Sequence, residues 1–581
     1  MSRLFATMLC LGTLLPVPGA LARVDISSES GVVDALVRKY HAENEIKPIG
    51  LTTDSEFVRR ATLDITGTIP TYEAVSEFLR STVADKRSRL IHDLLQSPGH
   101  VSHTFNYWAA MLRVPIRVRG MPSGAYALWI KNAIANNMPY DDFVHGLVAA
   151  KGDSAENGAT GYYLRDRKMR LDTVNATAQV FLGTQLGCAQ CHDHKFDKWT
   201  QKDYYQFAAY MGQVDSRRDR GEVRRLRREM EEVSDDKRRQ IQRYLQNLSV
   251  EVIDNPRQNL RYPEDYVYEN ARAGAAVEPK VIFGEQPAPQ GRESQREAFA
   301  EWLTSPDNAL FTKVIANRLW KRAIGVGLVE PVDDFNDYTK AVHPELLDHL
   351  TKLMAKLDYD MRTFLEILYN TRTYQLAAEG TEVTAGNYDF QAAPLRRMSA
   401  EQIWDSLVTL GVKDANTLES TMLEDLSDTM ASMQESGGQV DLRAERRKRQ
   451  KLRQEARRAS DIPPGNRFSE VLNQFGRSTR ETIDEGSTDP SIPQALFLMN
   501  SEQVQRLVSR DNSPLLRTAS EYSKTRDRIR VMYLSTLTRE PAQKELETAL
   551  TYVRDGGRNE AESYQDLAWA LVNTREFLFI R

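Results

Sequence analysis

The sequence predicts a mainly α protein, with two helical domains joined by a charged arm and a short β/loop segment. Apolar residues recur at helical spacing through most of the 581 residues, which is the primary signal for amphipathic helices. Capping residues stand at the start of several such segments, as in Ser399-Ala400-Glu401-Gln402. The segment with Val250, Val252 and Ile253 alternates instead and is followed by prolines, as in short strands and loops.

In the first part of the chain, the pattern predicts a series of helices. Thr71 is suited to cap a helix at 72–80, and Thr200 to start one that runs to Met211. The helix at 87–95 is expected to end at Ser97-Pro98-Gly99. The other helices predicted here lie at 32–43, 56–63, 105–112, 125–136, 141–150 and 174–182.

A second helical block begins near Glu293. Two charge-rich segments interrupt the apolar pattern: a mixed-sign run at 215–248, expected to be a solvated helical arm, and a strongly basic run at 442–458, expected to be an exposed insertion. The helices predicted in this block lie at 298–303, 312–322, 344–357, 363–369, from Ser399 onward, and at 502–510, 515–537, 544–554 and 564–577.

Four segments follow from this division of the chain. Residues 1–22 combine one arginine, an apolar run and Ala20-Leu21-Ala22, which predicts a cleaved signal peptide and export to the periplasm or the extracellular space. The N-terminal helical domain is placed at 23–214, the charged arm and β/loop linker at 215–290, and the C-terminal helical domain at 291–581, with the basic insertion near 440–460. After removal of the signal, no membrane span is predicted.

Charge and motif content narrow the possible functions. The net charge of −4 gives no reason to expect binding to nucleic acid. The sequence has no Gly-rich phosphate loop, no G-x-S-x-G and no H-E-x-x-H, so it predicts no reaction class, and whether the protein is an enzyme stays open. Arg59, Arg60 and Asp64 stand at helical spacing and are expected to form structural ion pairs within their helix.

The most informative motif is Cys188-Ala189-Gln190-Cys191-His192, the C-x-x-C-H pattern of covalent c-type haem attachment. On a helical turn the two thiols share a face, so both can reach the vinyl groups of one porphyrin, and His192 becomes the proximal iron ligand. Cys10, the third cysteine, leaves with the signal peptide. The mature chain therefore keeps cysteines only in this motif, and the sequence predicts one haem c and electron transfer with an unidentified redox partner or exported protein.

Two alternatives for the motif remain open. Cys188, Cys191, His192 and His194 have the ligand types of a zinc site, although so short a segment has difficulty directing all four at one metal ion. The two cysteines are also able to form a disulfide in an oxidising compartment. In either case the protein would be an exported non-haem scaffold or a hydrolase-accessory protein.

Neighbouring residues are candidates for supporting roles. A carboxylate or carbonyl that accepts the second N–H of His192 would fix the imidazole tautomer, whereas Asp193 and Asp197 could instead cap the next turn. The sixth iron position has no assigned ligand; residues of the usual types are Met111, Met169, Met211, His100 and His103.

Several long motifs resemble a known pair of domains. The segments Phe57–Thr71 and Cys188–Trp199 are similar to the planctomycete-type cytochrome-like domain of unknown function DUF1549 (PSCyt2). The segments Asn317–Trp320, Gly325–Phe335 and His343–Asp348 resemble its usual partner domain DUF1553 (PSD1). The resemblance implies an exported, largely helical, two-domain protein with a c-type haem signature, and it implies no reaction.

Overall fold

The computed structural model describes residues 24–581, except 116–117, 119–120, 122–123, 168, 219–248, 292, 381–387, 414–449, 451–454, 463–465, 485, 511–512 and 556–558. The predicted signal peptide at 1–22 therefore lies outside the described residues, as do most of the charged arm and most of the basic insertion. The fold is mainly α, as predicted.

The helices of the first part agree closely with the periodic segments. The helix predicted at 87–95 ends before Ser97-Pro98-Gly99, as expected. The next helix was predicted from residue 105 but begins at Pro98, and Ser97 caps it by accepting a hydrogen bond from the His100 amide. The helices are α1 (Ile26–Glu43), α2 (Asp54–Thr66), α3 (Tyr72–Arg80), α4 (Lys86–Leu95), α5 (Pro98–Met111), α6 (Ala125–Ala135), α7 (Tyr140–Val148), α8 (Gly161–Leu164), α9 (Arg170–Leu182) and α10 (Gln201–Ala208).

The second part is also helical, and the predicted capping box at Ser399 is present. None of the helices described has the combination of length and apolar character that spanning a bilayer requires. The helices are α11 (Gln295–Thr304), α12 (Ala309–Ile324), α13 (Pro344–Lys356), α14 (Met361–Asn370), α15 (Ala400–Gly411), α16 (Ser469–Gln474), α17 (Ile492–Asn500), α18 (Glu502–Val508), α19 (Pro514–Ser520), α20 (Thr525–Leu537), α21 (Gln543–Asp555) and α22 (Glu560–Val572).

The strands are short and fall into three small sheets. The predicted strand near Val252 pairs antiparallel with both neighbours, with Val252 opposite Gly152 and Ser216. Alternation over so few residues is a weak signal, so the sequence predicted only one of these strands. The strands are β1 (Gly152–Asp153), β2 (Val214–Arg217), β3 (Glu251–Asp254), β4 (Ala378–Glu379), β5 (Ala393–Pro394), β6 (Arg396–Arg397) and β7 (Phe579–Ile580), ordered β1-β3-β2, β4-β5 and β6-β7.

Two hydrophobic clusters fill the interior, and both contain residues of α2. The first core extends along the chain from Val33 to Phe390. The second core is built from residues between Met398 and Ile580, together with Leu63 and Ile69. Hydrophobic packing therefore runs across the predicted boundaries at 214 and 290, which themselves remain predictions.

Helix α2 is buried on all sides from Phe57 to Thr66. Its two arginines do not pair with Asp64, contrary to the expectation from helical spacing. Arg59 donates to the carbonyl oxygens of Thr536 and Phe577 at 3.0 and 2.8 Å. Burial lowers the pKa of Arg59 to about 10, which leaves the guanidinium charged near neutral pH.

The second arginine, Arg60, contacts other parts of the C-terminal half. It donates to the carbonyl oxygens of Tyr374 and Leu376, both at 2.7 Å, and of Arg581 at 2.6 Å. Asp64 accepts from Arg396 at 2.8 Å and from the Tyr374 hydroxyl at 3.0 Å. The polar side chains of this buried helix therefore join it to distant segments of the chain.

The carboxyl end of α2 is held in the same way. Gln402 donates to the Leu63 carbonyl at 3.0 Å, and Arg458 donates to the Thr66 carbonyl. Both acceptors belong to the last turn of α2; the Leu63 carbonyl also accepts from the Gly67 amide at 3.0 Å, whereas the Thr66 carbonyl is one of the terminal groups that a helix leaves without an internal partner. Arg458 also pairs with buried Asp405 at 2.9 Å. Side chains of the C-terminal half thus complete the hydrogen bonding of a helix from the N-terminal half.

We predict that Asp64→Ala destabilises the protein strongly. The substitution leaves Arg396 without its counter-charge in a largely buried position, and breaking a buried pair in this way costs on the order of 3 kcal/mol. The midpoint of urea unfolding measures the loss. Asp85→Ala is the matched control, because it breaks an exposed i,i+4 pair with Arg89 and should change the midpoint little. Equal shifts for the two variants would contradict this account.

Candidate functional site

The C-x-x-C-H motif lies in the loop that joins α9 to α10. Gly183 ends α9 with a φ of 55°. A Cβ atom at this position would lie 2.8 Å from the Phe335 ring, and the Gly183 carbonyl accepts a hydrogen bond from the Phe335 amide at 2.6 Å. Glycine is therefore needed both for the left-handed backbone and for the close approach. The loop leaves α9 in direct contact with the second half of the chain.

Residues 187–192, here named the motif turn, include the 3₁₀-helix Gly187–Gln190. The Cys191 amide donates to the Cys188 carbonyl at 3.4 Å and so continues the turn. A 3₁₀-helix has 3.0 residues per turn, so residues three apart are eclipsed. The predicted helical turn is thus present in its tighter form, and the three-residue spacing on such a turn favours a shared side for Cys188 and Cys191.

The two residues between the cysteines fix the motif turn to the protein. Ala189 is buried in the first core. The side-chain oxygen of Gln190 accepts from Asn175 and from the Tyr204 hydroxyl, both at 3.4 Å, and the Gln190 carbonyl accepts from Gln201 at 3.1 Å. With the middle of the turn held inward, both cysteines remain exposed free thiols.

His192 is exposed, and its hydrogen bond determines its tautomer. Its Nδ1 atom lies 2.8 Å from the Asp193 carbonyl oxygen. Because a carbonyl oxygen only accepts, Nδ1 carries the proton, and in the neutral ring Nε2 keeps its lone pair. A metal-binding histidine is usually prepared in this way by a hydrogen bond from its other nitrogen. The carbonyl considered in the sequence analysis is thus supplied by the adjacent residue.

His194, the additional ligand of the zinc alternative, has the opposite arrangement. Its Nδ1 accepts a hydrogen bond from the Phe196 amide at 3.2 Å, while its own amide donates to the Trp199 carbonyl at 2.8 Å. In the neutral ring the Nδ1 lone pair is therefore occupied and Nε2 carries the proton. His194 stabilises the loop, and neither of its nitrogens is ready to bind a metal.

No zinc-binding cluster and no disulfide is formed in the part of the chain that the structure describes. Within it, no group of three or more His, Cys, Asp or Glu side chains is arranged to hold a metal ion. The ligand types predicted from sequence are present, but within the described residues they do not form such a group.

Asp193 anchors the segment after the motif turn. Its amide donates to the Tyr268 hydroxyl at 2.9 Å, and its carboxylate accepts from the Gln201 amide at 2.8 Å. Asp193 thus contributes to capping α10, as the second interpretation of this residue expected. Asp197 bonds through its carboxylate to the amide of the next residue, Lys198. Tyr268 could not be found from sequence, because nothing in its local pattern marks a contact 75 residues away.

Three exposed large side chains lie in the loop or next in sequence to residues that bond to it. Phe196, Val267 and Tyr338 are 81%, 81% and 77% exposed; we name these three residues the apolar rim. Val267 precedes the Tyr268 that bonds Asp193, and Tyr338 follows Asp337. The Asp337 carboxylate accepts from Lys198 Nζ at 3.0 Å.

The candidates for a sixth iron ligand differ sharply in position. Met111, Met211 and His100 are buried in the interior, at most 5% exposed, and His103 lines a separate cavity described below. Met169 is 57% exposed and lies two residues before Leu171, whose carbonyl shares the Tyr204 hydroxyl with Gln190. Of the five, Met169 alone is exposed at the protein surface.

Two known protein families match successive regions of the chain. Residues 32–216 match the protein family of unknown function DUF1549 (PSCyt2), and residues 295–553 match the protein family of unknown function DUF1553 (PSD1). No curated protein and no solved structure matches the chain. The chain thus belongs to the proteins in which a DUF1549 region precedes a DUF1553 region, and the predicted resemblance is confirmed.

We predict that Asp193→Ala loosens the motif loop while leaving the rest of the fold intact. Loss of the bond to Gln201 removes about 1 kcal/mol of local stability, equivalent to about fivefold faster amide exchange at 192–201. Hydrogen–deuterium exchange read by mass spectrometry measures the change. Asp197→Ala, which removes a carboxylate from the same loop, should leave exchange in α10 unchanged, and a similar increase in both variants would refute the anchoring role.

Proposed function

We propose that the protein is an exported c-type cytochrome-like protein that transfers electrons. In this proposal Cys188 and Cys191 hold one haem through thioether bonds, and His192 is its proximal ligand. Export belongs to the proposal because c-type haem is attached outside the cytoplasm and residues 1–22 have the pattern of a signal peptide. Bound haem would supply an iron centre that exchanges single electrons.

The contact between His192 Nδ1 and the Asp193 carbonyl oxygen is the observation that carries the proposal. The Asp193 carbonyl holds the proton on Nδ1 at 2.8 Å, and the exposed ring therefore offers the Nε2 lone pair to an axial site. The motif turn adds two exposed free thiols, and Cys191 directly precedes His192 in the sequence. Both thiols and the His192 ring are thus exposed, which supports their availability for thioether attachment and axial ligation.

The residues near the motif turn provide apolar surface that a bound macrocycle could contact. The apolar rim and the half-buried Trp199 offer apolar surface around the loop. Lys198 Nζ lies 5.3 Å from the centre of the Trp199 ring and pairs with Asp337, so residues of both family regions border the same surface. Because this surface is exposed to solvent, a partner protein could approach it and exchange electrons.

The proposal predicts that mature protein made in a periplasm with c-type maturation enzymes carries one haem. Intact mass should exceed the polypeptide mass by one haem, and a pyridine haemochrome spectrum should be that of a haem with two thioether bonds. Cys188→Ser and Cys191→Ser together should abolish attachment, because they remove both sulfurs. His194→Asn is the matched control, since its amide oxygen can accept from the Phe196 amide in place of Nδ1, and it should retain haem.

The zinc and disulfide alternatives give different results in the same sample. One zinc per chain that is lost in the double cysteine variant would replace the haem proposal with a metal site. A mass two hydrogens below that of the dithiol polypeptide would show a Cys188–Cys191 disulfide. Two alkylatable thiols without porphyrin would also overturn the proposal.

A further inference from the structure

A second candidate site lies away from the motif turn. A cavity of about 420 Å³ lies where α2, α5, α12, β6 and α15 meet. Asp64, His103 and Asn106 reach it from the DUF1549 region, and Arg318 and Arg322 reach it from the DUF1553 region. Its volume is within the range of small-molecule binding sites. Its described lining includes no residue of the motif turn or the apolar rim.

The cavity carries an excess of positive charge. Two carboxylates, those of Asp64 and Glu401, also line it. Asp64 pairs with Arg396 at 2.8 Å, and Lys321 pairs with Glu330 outside the cavity at 3.1 Å. In the described structure the other three guanidinium groups have no carboxylate within 4.0 Å. The five cationic lining residues are Arg318, Lys321, Arg322, Arg396 and Arg397.

Buried polar atoms of the cavity lack partners. Asn106 is only 8% exposed, and neither its amide nitrogen nor its amide oxygen has a hydrogen-bond partner. The Nε atoms of Arg318 and Arg396 are also buried without a partner. Buried polar groups in native proteins are nearly always hydrogen-bonded, so a cluster of unpaired ones points to a ligand.

The protonation of the His103 imidazole is affected by its burial and by the nearby positive charges. Burial, followed by the nearby guanidinium groups of Arg322 and Arg458, holds the pKa of His103 well below its usual range. The ring is therefore neutral at pH 7 and can donate or accept a hydrogen bond without adding to the positive charge. The ring packs directly against Gly67: a Cβ atom on that residue would lie only 2.5 Å from His103 Nδ1.

We propose that this cavity binds a small organic molecule carrying a tetrahedral oxyanion. Guanidinium groups bind phosphate and sulfate oxygens through paired, charge-assisted hydrogen bonds. Arg318 and Arg322 lie four residues apart on the same face of α12. Arg318 donates to the Gln179 carbonyl at 3.1 Å and Arg322 to the Thr104 hydroxyl at 3.3 Å, so the anion would accept from their remaining N–H groups. Asn106 then pairs with a hydroxyl or carbonyl group of the organic part. Phosphate and sulfate esters share this chemistry, and the experiment distinguishes between them.

The test uses the full chain and calorimetric titration with inorganic phosphate, inorganic sulfate, glucose 6-phosphate and glucose 6-sulfate. An ester should bind more tightly than the corresponding inorganic ion, and affinity should fall with added chloride. The ester that binds more tightly identifies the oxyanion. Arg322→Gln should weaken binding on the order of 10- to 100-fold, because it removes a charge-assisted hydrogen bond. Arg554→Gln, at an exposed arginine paired with Asp555, makes the same change in net charge and should bind normally.

A second variant separates binding from folding. Asn106→Leu replaces an unpaired amide by an apolar group of similar size, so the thermal midpoint of the ligand-free protein should be maintained or raised, whereas the preference for esters should be lost. If Arg322→Gln does not fold, Arg397→Gln replaces it at the edge of the cavity. The proposal fails if none of the four probes binds, or if Arg322→Gln and Arg554→Gln bind them equally.

Discussion

The buried polar face of α2 is the constraint on which the rest of the structure depends. A charged group withdrawn from water is tolerated only if it is paired or hydrogen-bonded. Arg59 and Arg60 meet this requirement with backbone carbonyls from distant segments, and Asp64 meets it with Arg396. Since apolar residues of the same helix belong to both hydrophobic cores, any arrangement that displaced the C-terminal half would leave two guanidinium groups and a carboxylate unpaired in the interior.

The same dependence of one half on the other explains where the motif turn lies. Its loop starts at Gly183 against Phe335, and its far end is held by the ion pair between Lys198 and Asp337. Arg318 of α12 also donates to the Gln179 carbonyl in α9 at 3.1 Å. The loop that carries the cysteines is thus supported from both family regions, which gives a physical reason for their occurring together in one chain.

Sequence reasoning predicted the helices well because their capping and periodicity are local. Thr71, Thr200 and Ser399 cap the helices that their positions indicate. It also predicted a helical turn at the motif, since such a turn depends only on local sequence. It was wrong about the partners of Arg59, Arg60 and Asp64, because the helical pattern contains no information about carbonyls hundreds of residues away.

The same limit applied to the two candidate sites. Helical spacing could not indicate that His192 would bond the Asp193 carbonyl while His194 received the Phe196 amide, because both bonds depend on the exact path of the loop. The basic cavity could not be predicted from the sequence for a related reason. Asn106 and Arg322 are ordinary residues of two helices, and only the packing of α5 near α12 places them together.

The bonds of Arg59 have a consequence for the order in which the polypeptide matures. Its two acceptors are 477 and 518 residues further along the chain. While translation is under way, a nascent chain that has emerged through α2 has no means of satisfying this guanidinium away from water. The native acceptors of this guanidinium are therefore made only when nearly all of the protein has been synthesised, so α2 reaches its native hydrogen bonding at the end of translation or later.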